Sequence, residues 1–160
     1  MNWHEKNAEF NALIRQLFHD VDWQKRAEAA RKLGLLKDGR ATNLLCRALR
    51  SEKDHIVVNK IIEALGRIRD GRATLRIIEQ LKEEQEKYEP DKYRIIYIIE
   101  SLTKIKDRRA LSYLGPLLNS SDNDIKNLAL KAFNTIEPDW KEIIERERNK
   151  SIQEIFRLRD

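Results

Sequence analysis

Apolar positions along this chain recur mainly at three- and four-residue steps, the period of a helix that buries one face. At the front, Trp3, Phe10, Leu13, Ile14, Leu17, Phe18 and Val21 keep that spacing and predict an amphipathic helix. Further on, Ala41, Leu45, Ala48 and Leu49 form one stripe, Ala73, Ile77 and Leu81 a second, and Ala110, Leu114, Leu117 and Leu118 a third. The run Arg94-Ile95-Ile96-Tyr97-Ile98-Ile99 reads as a strand in a short window, because β-branched residues favour sheets. Its place in a repeat makes it helix instead.

That repeat is explicit. Leu33-Gly34 followed by Asp38-Gly39-Arg40-Ala41-Thr42 returns 32 residues later as Leu65-Gly66 followed by Asp70-Gly71-Arg72-Ala73-Thr74. A third copy, Leu102, Asp107, Arg109 and Ala110, is displaced by 37 residues because Glu83 to Pro90 holds an insertion of five. A fourth begins at Asp122. In every copy an Asp stands eleven residues before an apolar anchor: Asp22 and Leu33, Asp54 and Leu65, Asp91 and Leu102, Asp122 and Phe133. Eleven residues are three helical turns, so the Asp caps the start of a helix whose last turn the anchor buries. Gly34 and Gly66 fall where a helix C-terminus prefers glycine. The second Asp of each copy, Asp38, Asp70 or Asp107, precedes another amphipathic run and is placed to cap it.

The expectation is therefore all-α: a stack of about four helical hairpins, at 22–51, 54–83, 91–120 and 122–148. An N-terminal capping helix covers 1–20 and a C-terminal helix 151–159, the latter opened by a capping box of Ser151 and Glu154. Capped at both ends, such a stack is expected to be a monomer in one domain.

The pattern Asp, Arg26, Ala29-Ala30, Leu33-Gly34, then Asp38, Arg40 and Ala41 resembles the short HEAT-like repeats of the phycobilin-lyase type, over roughly Asp22 to Trp140. The resemblance implies a right-handed α-α superhelix whose second helices line a concave surface, in proteins that mostly serve as partner-binding scaffolds. It also admits enzymes: chromophore lyases, an iron-binding hydroxylase and one class of DNA glycosylases. Val58 stands where the first-helix basic residue is expected, the third turn lacks glycine, and Glu137-Pro138-Asp139 replaces the fourth turn.

Charge and candidate chemistry narrow the function. The chain carries 32 Lys and Arg against 27 Asp and Glu, a net charge of +5 that favours acidic partners only mildly. No stretch has the length and apolarity of a membrane span, and the first twenty residues lack the apolar core of a signal peptide, so the expected location is cytoplasmic. Cys46, the single cysteine, makes no internal disulfide and lies at the edge of a packed stripe as core filler. His4-Glu5 is one His-Glu pair where the hydroxylase needs several, and it has no second histidine at helical spacing. Neither a metal nor a cofactor is expected. Glu83, Glu84, Glu86 and Glu89 read as a solvated charge run. Trp3, Trp23 and Trp140 suit packing better than stacking on a flipped base.

The face of each second helix opposite its core stripe holds Arg40, Asn43, Arg47 and Arg50, then Arg72, Leu75, Glu79 and Lys82, then Arg109, Ser112, Pro116 and Asn119. Six basic residues oppose one acidic residue. With Arg76 and Tyr113 on its flank, this basic ribbon is the candidate partner-binding surface, matched to an acidic peptide or a phosphate backbone. Arg40, Arg72 and Arg109 have an alternative role, pairing with the turn aspartates of neighbouring repeats as a structural ladder. The insertion, with Tyr88, Tyr93 and Tyr97, is a second candidate surface. A non-catalytic protein-binding scaffold is the leading function. A nucleic-acid binder using the ribbon, and a subunit of a HEAT-like enzyme such as a lyase, are the alternatives.

Overall fold

The computed structural model describes residues 1–157, and among them the chain forms ten α-helices, short 3-10 turns and no strand. It is organised in two compact bodies, Met1–Ala73 and Thr74–Asp160. The N-terminal body holds α1 (Trp3–His19), α2 (Trp23–Leu36), α3 (Thr42–Ser51) and α4 (His55–Ile68). The C-terminal body holds α5 (Thr74–Gln85), α6 (Lys92–Ile105), α7 (Leu111–Leu114), α8 (Asn123–Ile136), α9 (Trp140–Arg146) and α10 (Ile152–Ile155).

Every first helix starts as its Asp dictates. The carboxylates of Asp22, Asp54, Asp91 and Asp122 accept the otherwise unpaired amides of the first turns of α2, α4, α6 and α8. The cap residues are themselves held by a second polar side chain. Asp20 accepts the Asp22 amide at 2.9 Å, Glu52 the Asp54 amide at 3.0 Å, Glu84 the Asp91 amide at 2.6 Å, and Ser120 the Asp122 amide at 3.2 Å. Glu84 stands 32 residues after Glu52. The five-residue insertion therefore lies between Glu84 and Asp91, and the carboxylate spans it to keep the repeat in register. This corrects the reading of Glu84 as part of a solvated run: it is buried, receives Lys87 Nζ at 2.8 Å, and lies 3.9 Å from the buried Arg94 guanidinium. Glu83, Glu86 and Glu89 are exposed as expected.

Asp38 and Asp107 do not cap their second helices directly. Each accepts from the second residue of a 3-10 turn, Gly39–Ala41 or Arg108–Ala110, and the turn runs into the helix through a residue in right-handed conformation. Asp70 does the same for Arg72. The core stripes are buried: Ala41, Leu45, Ala48 and Leu49 in α3, Ala73, Ile77 and Leu81 at α5, and Ala110, Leu114 and Leu117 at α7, with Leu118 half-buried. α7 is cut to four residues by Pro116, which has no amide to donate to the preceding turn, and the chain continues as a 3-10 helix, Gly115–Asn119.

The glycines are not the helix caps. Gly34 and Gly66 lie inside α2 and α4, and the left-handed C-caps are Lys37, Arg69 and Lys106, with φ of 51°, 62° and 59°. Gly34 serves the packing of α2 on α4: a Cβ there would stand 2.8 Å from the Ala64 Cα.

At the N-terminus, α1 buries Phe10, Leu13 and Leu17 against α2. Trp3 and Val21, assigned to the same face, are 68% and 98% exposed, because Val21 lies past the end of α1 and Trp3 lies at its first turn. At the other end, Ser151 and Glu154 form the capping box of α10. The expected helix over 151–159 is described only as Ile152–Ile155, and 158–160 lie outside the described residues. α10 docks on α7, with Ile152 filling the space that a Cβ on Gly115 would take, and Phe156 meets Phe133 edge to face.

Candidate interaction surface

In the N-terminal body, Arg40 and Arg72 are held at the turns by their own aspartates, not by those of a neighbouring repeat. Arg40 Nη2 lies 2.7 Å from Asp38 and its Nη1 donates to Asn7 Oδ1 at 2.9 Å, with the guanidinium 4.5 Å from the Phe10 ring centre. Arg72 Nη2 lies 2.6 Å from Asp70 and also donates to the Gly39 carbonyl at 3.0 Å, tying one repeat turn to the previous one. These bonds have an electrostatic signature. Arg40 holds the Asp38 carboxyl below the ordinary carboxylate range, and Arg72, through its guanidinium and its own amide, lowers Asp70 to about 2.

Further along α3, Asn43, Arg47 and Arg50 are exposed on the face away from Leu45 and Leu49. Among the described residues neither Arg47 nor Arg50 forms an ion pair. Their charge is directed to solvent, in contrast to Arg40 and Arg72.

In the C-terminal body, Lys82 is exposed near the end of α5 with its Nζ 4.8 Å from the Tyr113 ring centre, so two of the expected residues meet in a cation-π pair. Arg76 is largely buried and bonded to Glu79. Burial is the largest influence on the Asp107 carboxylate and raises it, but the Arg109 guanidinium at 2.6 Å and the Arg109 amide at 3.0 Å act together against it, and Asp107 lies below its ordinary value. Leu75 is half exposed, and Ser112, Pro116 and Asn119 are accessible.

The catalytic candidates fall into structural places. Glu5 closes a capping box with Asn2 at the start of α1. Cys46 is half-buried on α3, within electrostatic reach of Arg72. Trp140 donates to Asn134 Oδ1 at 2.8 Å and meets the Phe133 ring at a tilt, 5.1 Å between centres, whereas Trp23 is partly exposed. Among the described residues no group of three His, Cys, Asp or Glu side chains is placed to hold a metal, and no helix is long and apolar enough to cross a membrane.

The comparison with protein families decides between these observations and an unrelated helical bundle. A family model described as HEAT repeats matches residues 10–89, half of the chain. The chain belongs to the HEAT-repeat family. No curated protein matches it in sequence. HEAT repeats generally mediate protein–protein interaction. Sequence reasoning missed Arg108 and Arg157, which lie together at the C-terminal cap; the signal for Arg108 is its occupation of a turn position that is glycine in the first two repeats.

Proposed function

We infer that this HEAT-repeat protein is a non-catalytic scaffold that binds another protein through an acidic segment, using the exposed faces of its second helices. One observation carries the reading. The turn arginines Arg40, Arg72 and Arg109 are each paired with an aspartate two residues away, while Arg47 and Arg50 form no ion pair among the described residues and present their charge to solvent. Two guanidinia one turn apart on a rigid helix match the carboxylates of an acidic peptide, which arginine engages bidentately. Lys82 and Tyr113 offer a second cation beside an aromatic face in the C-terminal body. The scaffold works as a monomer in the reducing cytoplasm, without a cofactor.

The test is capture of partners from a lysate by wild type and by the Arg47→Glu, Arg50→Glu variant, after each protein has been run on heparin and random-DNA columns. Loss of the same partner in the variant, with passage through the DNA column at low salt, is the expected result. Retention on DNA to high salt, abolished in the variant, would replace the protein partner with a nucleic acid. Unchanged capture by the variant would remove α3 from the interface.

A further inference from the structure

We propose that a cavity at the C-terminal cap binds an oxyanion carried on a small flat apolar body, with an aryl phosphate as the matching chemistry. The cavity holds about 340 Å³, and its lining brings together the arginines Arg108, Arg109 and Arg157 with the apolar Ile143, Ile155 and Phe156. Glu147, on the same wall, is paired with Lys150 at 2.9 Å, so its charge is offset. The volume lies at the bottom of the range of ligand pockets, enough for one ring and a phosphate and too small for a helix.

The lining divides into apolar and cationic side chains. Ile143, Ile155 and the buried Phe156 supply an apolar surface for a ring. The Arg108 guanidinium lies 5.4 Å from the Phe156 ring centre, and its Nε is tied to Glu137 at 3.2 Å, which fixes the plane of the guanidinium. Arg109 is fixed in turn by the Asp107 carboxylate. Guanidinia oriented beforehand lose little freedom when they meet an oxyanion, and they bind it through paired N–H donors.

The repeat gives an independent reason. The residue before the turn arginine is Gly39 in the first repeat and Gly71 in the second, but Arg108 in the third. No described glycine has a positive φ, so the turn backbone accepts arginine without strain and does not demand it. The turn therefore does not require Arg108, whose side chain reaches Glu137 and adds a cation to the lining of this cavity. The site shares only Arg109 with the second-helix faces and stands whether or not those faces bind a partner.

The experiment is calorimetric titration of the full chain with phenyl phosphate at low salt, with inorganic phosphate and a phosphotyrosine peptide in parallel arms. Saturable binding with a Kd of about 1 mM or tighter is expected for phenyl phosphate. Inorganic phosphate is expected to bind at least about tenfold more weakly, for want of a ring to meet the apolar side chains. Arg108→Gly, which restores the residue of the first two turns, and Arg157→Glu, at an exposed position, are each expected to weaken phenyl phosphate at least about tenfold, with thermal melts showing both variants folded. Tighter binding of the peptide than of phenyl phosphate assigns the ligand to a phosphorylated protein, and the reverse assigns it to a free ester. Absence of saturation by about 20 mM, equal affinity for inorganic phosphate, or unchanged affinity in both variants would overturn the proposal. The Arg47→Glu, Arg50→Glu variant is expected to bind phenyl phosphate as wild type does, which keeps this site separate from the scaffold reading.

Discussion

Gly34 of α2 lies so close to Ala64 of α4 that a methyl group added to it would stand 2.8 Å from the Ala64 Cα and 3.0 Å from its Cβ. Neither of those atoms belongs to the end of a flexible side chain, so a larger residue must push the two helices apart. Ala29, Ala30 and Leu33, all fully buried, would lose packing with it. Gly34→Ala is expected to destabilise the protein by about 1–3 kcal/mol, although alanine is the better helix former by about 1 kcal/mol. Urea unfolding checks this; a variant as stable as wild type would show that the helices part at no cost.

Glu84 joins three partners across the insertion: the Asp91 amide, Lys87 and, at longer range, Arg94. Burial lowers the Arg94 pKa, and the Glu84 carboxylate is the first of the charges that oppose that shift. Glu84→Ala leaves a buried guanidinium poorly compensated and an amide unpaired, and is expected to cost about 2–4 kcal/mol. Glu86→Ala, two residues along and exposed, is expected to stay within about 0.5 kcal/mol of wild type. Equal effects of the two would refute the assignment of Glu84 as the pin of the third repeat.

The Asp70 carboxyl sits at about 2 in the folded protein against an ordinary 3.8, through its bonds to Arg72. A depressed carboxylate contributes stability that is complete above its unfolded value and is lost as pH falls through the folded one. The window is therefore about pH 4 to 2, and because solvent reaches the exposed Arg72 and screens the pair, the contribution at neutral pH is about 1 kcal/mol. Asp70→Asn is expected to lose that amount at neutral pH and to flatten the fall of unfolding free energy across the window, which denaturant titrations at several pH values read directly. An unchanged slope would mean that the Asp70–Arg72 pair does not survive in solution.

How much of the fold and the site is legible in the sequence depends on the range of the interaction involved. The helix caps are local, since Asp22, Asp54, Asp91 and Asp122 bond amides two and three residues ahead, and the core stripes follow from helical period alone. Gly34 is ambiguous in the sequence because a glycine near a helix end serves equally as a cap or as a point of close approach. Only the position of Ala64, thirty residues on, separates the two. Glu84 reads as solvated because its neighbours Glu83 and Glu86 are, and its burial goes with bonds to Lys87 and to the Asp91 amide across the insertion. The basic face is legible as a stripe, but not that Arg40, Arg72 and Arg109 fold back onto their own aspartates while Arg47 and Arg50 do not. The cavity at Arg108 and Phe156 joins segments nearly fifty residues apart, and no periodicity reports that.

Gly115 and Ile152 repeat the logic of Gly34 at the C-terminal cap. A Cβ on Gly115 would stand 2.7 Å from Ile152 Cγ2 and 3.3 Å from its Cβ, and α10 has only four residues with which to resist. Gly115→Ala is expected to release α10 while leaving α8 in place, giving at least about tenfold faster amide exchange over 151–157 with little change around Phe133. Unaltered exchange would show that Ile152 repacks without displacement.

Lys37, Arg69 and Lys106 end their helices with a left-handed backbone that costs a side-chain-bearing residue about 1 kcal/mol relative to glycine. A basic residue recovers part of that cost by placing its charge at the negative end of the helix dipole, a few tenths of a kcal/mol at an exposed site. The two effects oppose each other, and the backbone contribution is the larger. Lys37→Gly is thus expected to stabilise the protein by about 0.5 kcal/mol, whereas Lys37→Ala keeps the strained backbone, forfeits the charge and is expected to destabilise it slightly. Thermal melts at low salt compare the three proteins. Adding salt should narrow the gap between wild type and the alanine variant without moving the gap between the alanine and glycine variants, because screening acts on the dipole and not on the backbone. A glycine variant less stable than wild type would show that the charge, and not the conformation, governs how these helices end.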